Sequence, residues 1–426
     1  MLKKLSLKIF SLTLVINMFV PSFMDTSAAE AQPEIVSEAA IVLDYDTGEI
    51  IYEKNANNKM FLASTTKLMT AILFAENKSK EDTITYTESA KAQPPYTMDS
   101  EQMAPYGKSM KIGDTLSADT VMKELLLFSA NDSAYMIADA VSGNSNTFIE
   151  LMNKKATEYG LKNTHFSNPN GLPVNGNDVN YSTAYELAII TKHAYDNQWI
   201  KETMQLSEAN VVLPGDTRIK LENRNTELNK NGNIGGKTGV TNQAGTCFAG
   251  VYERDGRKLI GVVLKCDRND NNKRFEDLNS MMNYSYQAQK IPFKSAGTEV
   301  STVELSYKLF KFFGPTKTIS VPVTLSEDAT IYDTETNKAN AKISLDDIDK
   351  NAWDVANNNE VTLKLTVLDS NTDIKGQISL TTSQILKDNI FAYAAVVAIM
   401  LIIILLIVFI TKLIKSSSNK KVRRRR

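Results

Sequence analysis

The sequence predicts an α/β (α+β) domain with helices packed on an antiparallel sheet, then a small all-β domain, then one apolar C-terminal helix. Three observations carry that expectation. Strand-like segments stand at both ends of residues 30–291 with helical periodicity between them, and strands, helices, then strands again indicate a mixed fold. Over residues 292–386 the apolar pattern changes to period two. Ile390 to Ile410 is an uncharged run of 21 residues, long enough at ~1.5 Å per residue to cross a ~30 Å hydrocarbon core.

Taken in order, the elements begin with Lys3-Lys4, an apolar stretch around Ile9 to Phe23, and Ser27-Ala28-Ala29. A basic start, a short greasy core and small residues at the end make residues 1–29 a secretory signal, cut after Ala29. Ser11, Thr13, Asn17 and Pro21 make a permanent span the poorer reading. Ala39 to Asp44 and Glu49 to Tyr52, separated by Asp46-Thr47-Gly48, read as two strands and a turn. Helical spacing starts near Ser64, with Leu68, Met69, Ile72 and Leu73 on one face. A second helix covers Ala118 to Phe128, and a third runs from a cap at Asp132 to a stop at Gly143. Another opens at Asn146 or Thr147 and ends at Gly160; Thr183 and Glu186 form a capping box before Leu187. Asn233–Gly239, Gly245–Glu253 and Lys258–Lys265 return to strands, and a helix near Glu276 to Gln289 closes the domain. In the second domain Ile319–Leu325, Val361–Val367 and Gly376–Thr382 alternate.

The span, residues 390–411, is followed by Lys412, Lys415, Lys420, Lys421 and Arg423 to Arg426. Basic residues there hold the tail, 412–426, in the cytoplasm and leave residues 30 to about 388 outside. Such a tail could bind nucleic acid, but beside a span it reads as topology and anionic lipid. Cys247 and Cys266 flank a hairpin turning at Asp255-Gly256. With a two-residue loop, Cys247 faces Leu264 and Cys266 lies diagonally on the same face. A disulfide and two buried thiols are both open.

A net charge of −1 and no basic stretch inside the folded part give no reason to expect nucleic acid. Neither of the two histidines, His165 and His193, lies in a nucleophile-elbow context. There is no His-Glu-x-x-His, and two cysteines cannot build a Cys-rich zinc site, so no metal or cofactor is called for.

Chemistry resides in three motifs: Ser64-Thr65-Thr66-Lys67, Ser129-Ala130-Asn131 and Lys237-Thr238-Gly239. Ser64 and Lys67 share a face at a helix start, where the dipole favours an alkoxide-like charge. Lys67 can act as general base only if neutral; burial and a second cation, for which Lys237 is the candidate, both lower a lysine's pKa. The alternative is a serine-capped amphipathic helix with a solvated lysine. Ser129 can relay a proton to a leaving nitrogen, and Asn131 can hold Lys67 and a substrate amide. Asn131 or Asp132 could instead be simple caps, and Asp132 is assigned to that role.

Gly235-Gly236-Lys237-Thr238-Gly239 would let an extended peptide pair along a strand edge, with Lys237 and Thr238 meeting its terminal carboxylate. A nucleotide-binding loop fails on spacing, because Gly232 is one residue too close. The N–H groups of Ser64 and Val240 are the candidate oxyanion donors, each worth about 3 kcal/mol.

From about Glu34 to Gln289 these motifs resemble a low-molecular-mass penicillin-binding protein, a serine-type D-alanyl-D-alanine carboxypeptidase of peptidase family S11. Beyond the triad, Asn168-Pro169-Asn170-Gly171-Leu172, Tyr181-Ser182-Thr183-Ala184 and Lys237 to Thr241 followed by Ala244-Gly245 are similar to that family. The resemblance implies a β-lactamase/transpeptidase-like fold and removal of the last D-alanine from a peptidoglycan pentapeptide through an acyl-enzyme on Ser64. It also implies slow, near-irreversible acylation by β-lactams. It implies an arginine that steadies the terminal carboxylate, for which Arg274 is the best match and Arg268 the second. Ala130 stands where glycine is usual and Asn170 where histidine is frequent; the anchor is a span rather than an amphipathic tail. A serine β-lactamase of the class with Ser-x-x-Lys plus Ser-x-Asn would use a glutamate in a Glu-x-x-Leu-Asn loop between the second and third motifs, and none is there. A D,D-endopeptidase would use the same acyl-enzyme, and a wall- or drug-sensing receptor would keep the pocket without turnover.

Overall fold

In a computed structural model, residues 31–98, 110–177, 179–345, 351–368 and 370–423 are described. The expected secretory signal, residues 1–29, lies outside them, as do the last three arginines. Strands β1 (Ala39–Asp44) and β2 (Ile50–Lys54) are followed by a helical block. Its helices are α1 (Lys67–Asn77), α2 (Ala118–Lys123), α3 (Asn131–Ser142), α4 (Ser145–Glu158), α5 (Ala184–Asp196) and α6 (Gln198–Met204). A hairpin, β3 (Glu208–Leu213) and β4 (Thr217–Glu222), leads to β5 (Asn233–Thr241), β6 (Gly245–Arg254), β7 (Arg257–Cys266) and helix α7 (Lys273–Gln287).

The main sheet has the order β2-β1-β7-β6-β5, with every pair antiparallel. Both faces are covered, which is why its strands read as nearly continuous apolar runs. Ile41, Leu43, Ala249, Val251, Val262 and Leu264 meet the helical block. Ala40, Val42, Phe248, Leu259 and Val263 meet Phe275, Leu278, Met281 and Met282 of α7 or its start. Helix α1 is buried from Lys67 through Phe74, so it forms the axis of the helical side.

The β6–β7 turn falls where expected, with Arg254 facing Arg257. The expected pairing of Cys247 with Leu264 fails. Lys265 adopts a left-handed conformation (φ 53) at a bulge, so Thr246 faces Cys266. Cys247 packs into the helical-side core, whereas Cys266 Sγ lies 3.5 Å from Asp277 Oδ2 of α7. The two thiols sit on opposite faces, both buried and not joined in a disulfide.

Beyond residue 291 lies a second antiparallel sheet of β8 (Glu299–Lys308), β9 (Thr316–Leu325), β10 (Lys342–Leu345), β11 (Glu360–Val367) and β12 (Ser370–Ile378). Its order is β8-β9-β12-β11-β10, around a core that includes Leu305, Val323, Trp353, Leu363 and Ile378. Short helices, α8 (Glu335–Asn340), α9 (Ala352–Val355) and α10 (Thr382–Asp388), accompany it. The alternation expected to continue to Thr382 stops at Ile378, because Thr381 and Gln384 form a capping box that starts α10.

Helix α8 docks on β2, an outer strand of the main sheet. Buried Asn337 accepts from Ile50 N (3.2 Å) and donates through Nδ2 to Ile50 O (2.6 Å). One side-chain amide thus satisfies both main-chain groups of an edge residue, as a neighbouring strand would. Thr336 adds bonds to Glu53, and Lys290 pairs with buried Glu49. Helix α11 (Ile390–Arg423) ends the described chain, and its Ile390–Ser417 portion contains an 18-residue stretch of mean hydropathy 3.4, no part of which is buried.

Candidate active site

Ala63 to Thr66 form one 3₁₀ turn that passes into α1 at Lys67. Three residues per turn eclipse positions i and i+3, which aligns Ser64 and Lys67 more closely than an α-helical turn would. Lys67 Nζ lies 2.8 Å from Ser64 Oγ, 2.9 Å from Asn131 Oδ1 and 2.9 Å from the carbonyl oxygen of Asn170. The last two atoms can only accept, and the orientation of the Asn131 amide follows from Nδ2 donating to Pro95 O at 2.8 Å. A neutral amine has two N–H groups and one lone pair. Spending the donors on Asn131 and Asn170 aims the lone pair at the Ser64 hydroxyl. Burial favours that state, pushing Lys67 down to about 7, and the Arg224 charge adds to the effect while Asp132 opposes it.

The Asn170 carbonyl is presented by a clamped loop. Thr70 Oγ1 donates to Pro169 O (2.6 Å), Asn180 Nδ2 to Thr66 Oγ1 (3.1 Å) and Gly171 N to Asn168 Oδ1 (2.6 Å). Gly171 has φ +84, and a Cβ there would lie 1.9 Å from Ala63 O. Only glycine lets the loop press against the turn that carries Ser64.

The second motif follows a widening of helix α2. Glu124 to Phe128 form a π turn that closes on Ser129 in a left-handed conformation (φ 71). Ser129 Oγ accepts from Lys237 Nζ at 2.8 Å. Asn131 N donates to Tyr96 O at 2.8 Å, fastening the motif to the segment before residue 99. Asp132 is not a cap. Ala130 holds the N-cap position, and Asp132 is buried in the first turn, where it accepts from Met98 N at 2.8 Å. Behind it, Glu124 accepts from Ser133 Oγ (2.9 Å), and burial holds its carboxyl well above the usual range.

The third motif lies on β5, whose only strand partner among the described residues is β6. A Cβ on Gly239 would meet Leu62 O at 2.9 Å and Ser64 N at 3.0 Å. The missing side chain therefore brings the main chain of Gly239 and Val240 alongside the Ser64 amide. Lys237 Nζ also donates to Thr238 O at 3.0 Å. Burial pushes Lys237 well below the ordinary amine value, and Lys67, Arg224 and Arg274 push it the same way. Arg224 is thus a further cation acting on Lys67, beside the coupling of Lys67 with the expected Lys237. Arg274 is buried at the start of α7, with Nη1 donating to Gly239 O (3.4 Å) and Nε without a partner among the described residues. Burial lowers it to about 10.

Ser64, Ser129, Asn131, Thr238, Gly239, Val240 and Arg274 line one cleft of about 540 Å³, together with Tyr96, Arg224 and Arg268. Lys67 and Lys237 stand at its floor through their bonds to Ser64 and Ser129. Arg224 carries no motif and was not legible in the sequence. Its guanidinium lies between the rings of Tyr96 (4.6 Å) and Phe128 (5.0 Å), and Nε donates to Phe128 O at 2.6 Å. Glu186 makes only half of the expected capping box. Thr183 accepts from its N–H, but its carboxylate turns away to Asn163 N (2.9 and 3.0 Å) and Thr164 Oγ1 (2.6 Å). Among the described residues, no three His, Cys, Asp or Glu side chains gather as a metal site would require.

Comparison with known proteins places this cleft in context. The profile of the D-alanyl-D-alanine carboxypeptidase family matches residues 26–268. D-alanyl-D-alanine carboxypeptidase DacF of Bacillus subtilis (strain 168) is 31% identical over 252 residues, 58% of this chain and 62% of the relative. The D-alanyl-D-alanine carboxypeptidase of Streptomyces sp. (strain K15) is 30% identical over 61% of this chain and 90% of its own length. A D-alanyl-D-alanine endopeptidase of Pseudomonas aeruginosa is 30% identical over 51% of this chain and 67% of its own length. The chain spans 62% of the length of the Bacillus relative and of a Haemophilus influenzae one. Among solved structures, penicillin-binding protein D2 from Listeria monocytogenes in its cefotaxime-bound form superposes with a TM-score of 0.53 at 28% identity, covering 61% of this chain and all of that one.

Proposed function

This chain belongs to the D-alanyl-D-alanine carboxypeptidase family, and from that membership we propose that it removes the terminal D-alanine from peptidoglycan pentapeptide stems. Ser64 Oγ attacks the carbonyl between the last two D-alanines, and neutral Lys67 takes the hydroxyl proton. The N–H groups of Ser64 and Val240 receive the oxyanion. Ser129, in contact with Lys237, returns a proton to the leaving nitrogen. The C–N bond breaks and D-alanine departs, while the proton Lys67 took from Ser64 passes to Ser129, so that Lys67 is neutral again. An ester on Ser64 remains for water to hydrolyse, with Lys67 accepting the water proton and returning it to Ser64 Oγ as the ester bond breaks. Lys237, Thr238 and Arg274 face the substrate's terminal carboxylate, with Gly239 giving close approach to the strand edge. A charged carboxylate there favours a proton on Lys237, which leaves Lys67 to be the neutral partner of the pair.

The observation that carries this reading is the set of three partners around Lys67 Nζ, two of them obligate acceptors. β-Lactams acylate Ser64 by the same attack, but their leaving group stays tethered in the opened ring, so the ester persists. In the β-lactamase class with Ser-x-x-Lys plus Ser-x-Asn, rapid hydrolysis uses a glutamate to activate water. Glu186, between the second and third motifs, is held by Asn163 and Thr164 instead. Cleavage of cross-links is the second reading, favoured by the likeness to the Pseudomonas endopeptidase, and it passes through the same ester.

The reading extends to location. The apolar helix Ile390–Ser417 anchors the protein, a secretory signal exports the part that carries the cleft, and the basic tail stays in the cytoplasm. The sheet beyond residue 291 is a spacer that lifts the cleft from the bilayer. D-alanine release from a pentapeptide mimic, lost in Ser64→Ala, tests the activity. Mass spectrometry after penicillin treatment tests the nucleophile: one adduct on the Ser64 peptide is expected, and an adduct elsewhere overturns the assignment.

A further inference from the structure

We propose that the β8–β9 turn is a second membrane contact, which enters the headgroup layer beside the C-terminal helix and takes anionic phospholipid as its partner. This rests on Ile390–Ser417 crossing the bilayer and is independent of the chemistry at Ser64.

The turn reads Leu309-Phe310-Lys311-Phe312-Phe313-Gly314-Pro315. Phe312 is 84% exposed and Phe313 67%, an arrangement that water disfavours and a lipid boundary rewards. The turn is fastened to the start of the apolar helix. Tyr393 Oη donates to Leu309 O at 2.7 Å, and the Tyr393 ring meets Phe310 edge-on at 5.7 Å. Lys317 Nζ donates to Asn389 Oδ1 at 2.7 Å, one residue before the helix begins. Tyr393 is half-buried against the turn, and none of the most apolar 18 residues of the helix is buried in protein, so the first turn of the helix marks where lipid begins. Whatever is fixed to Tyr393 is therefore at the same depth, where aromatic side chains concentrate.

Charge selects the lipid. Residues 308–317 hold Lys308, Lys311 and Lys317 and no acid, the composition that anionic headgroups attract. A lone helix would leave the sheet free to swivel about one point. A second contact through Phe312 and Phe313 fixes the direction in which the sheet leaves the membrane.

The test uses the full chain in vesicles of phosphatidylcholine and phosphatidylglycerol carrying acyl-chain bromine. A single fluorophore is placed on Phe312→Cys, on Leu405→Cys in the helix, or on Asp373→Cys in the sheet. Cys247 and Cys266 are buried, and labelling of the unsubstituted chain is subtracted. Insertion to a depth of ~5–10 Å predicts at least roughly twofold stronger bromine quenching at 312 than at 373. Replacing Lys308 and Lys311 by glutamate should reduce quenching at 312 in phosphatidylglycerol vesicles and leave quenching at 405 unchanged. Quenching at 405 with none at 312 overturns the proposal and keeps the span. No quenching at either position overturns both. A label at 312 that is shielded yet unquenched and cross-links two chains assigns the turn to a second copy and also overturns the proposal.

Discussion

Lys67 and Asn170 are joined by a 2.9 Å hydrogen bond from the buried amine to a main-chain carbonyl. That bond has no signature in residue type, since any residue at position 170 offers a carbonyl. It depends on where the loop lies, and therefore on Gly171. The amine that touches Ser64 Oγ is tied in this way to the backbone path of a segment about a hundred residues downstream.

Protonation of Lys67 should govern acylation. Burial sets its pKa at about 7, and the base form is the deprotonated one. The second-order rate of β-lactam acylation should therefore rise with pH through about 7 and level off above it. Lys67→Ala should lower that rate by about 10²–10⁴-fold, the usual worth of a positioned base. Lys67→Arg should not restore it, because a guanidinium stays charged. A pH-independent rate in the unsubstituted protein would remove Lys67 from the role.

Arg224 should set where that limb falls. Its charge disfavours a proton on Lys67, so Arg224→Gln should shift the acid limb to higher pH. Arg224→Lys keeps the charge and should shift it less, despite losing the bond to Phe128 O. Acylation-rate profiles of the two variants against pH check the sign. A limb moving to lower pH would show that Arg224 acts only by packing.

Gly171→Ala should damage both fold and site. The added carbon meets Ala63 O at 1.9 Å, and the backbone is left-handed, so a loss of roughly 2–5 kcal/mol is expected in chemical unfolding. Acylation of Ser64 should slow as the Asn170 carbonyl retreats. Gly176→Ala is the comparison: φ is +79 but the space is open, so only about 1–2 kcal/mol is expected, with acylation preserved.

Asn337→Ala should uncouple docking from chemistry. It leaves Ile50 N and O without their partner at a buried contact, a loss of about 1–3 kcal/mol. Proteolysis near residues 291–298 should quicken while the rate of acylation stays constant. Slower acylation would mean that the second sheet supports the cleft directly.

What the sequence reveals follows from what carries each role. The roles proposed for Ser64, Lys67, Ser129, Asn131 and Lys237 rest on side chains of fixed chemistry at fixed spacing, and the structure brings them within 3 Å contacts of one another in pairs. Strands β1, β5, β6 and β7 were legible because both sheet faces are apolar, and the helical block because its spacing is. The bulge at Lys265 was not, since a left-handed lysine leaves no mark in composition, and it separates Cys247 from Cys266. Asp132 looked like a cap because Asp often is one; the wide turn ending at Ser129 moves the helix start to Ala130 and turns the carboxylate inward. Arg224 was invisible for another reason. Its place beside the cleft is set by the hairpin Glu208–Glu222, which brings position 224 against Phe128 from far along the chain.

The Asn337 amide seated on Ile50 bears on how this sheet can grow. A β-sheet has two flanks, and either can recruit a stray extended chain. One flank here is stoppered by a side chain, while the other belongs to Asn233–Thr241, the segment holding Lys237. Any newcomer strand is thereby directed to the flank that carries the lysine, and self-association through the opposite flank is suppressed.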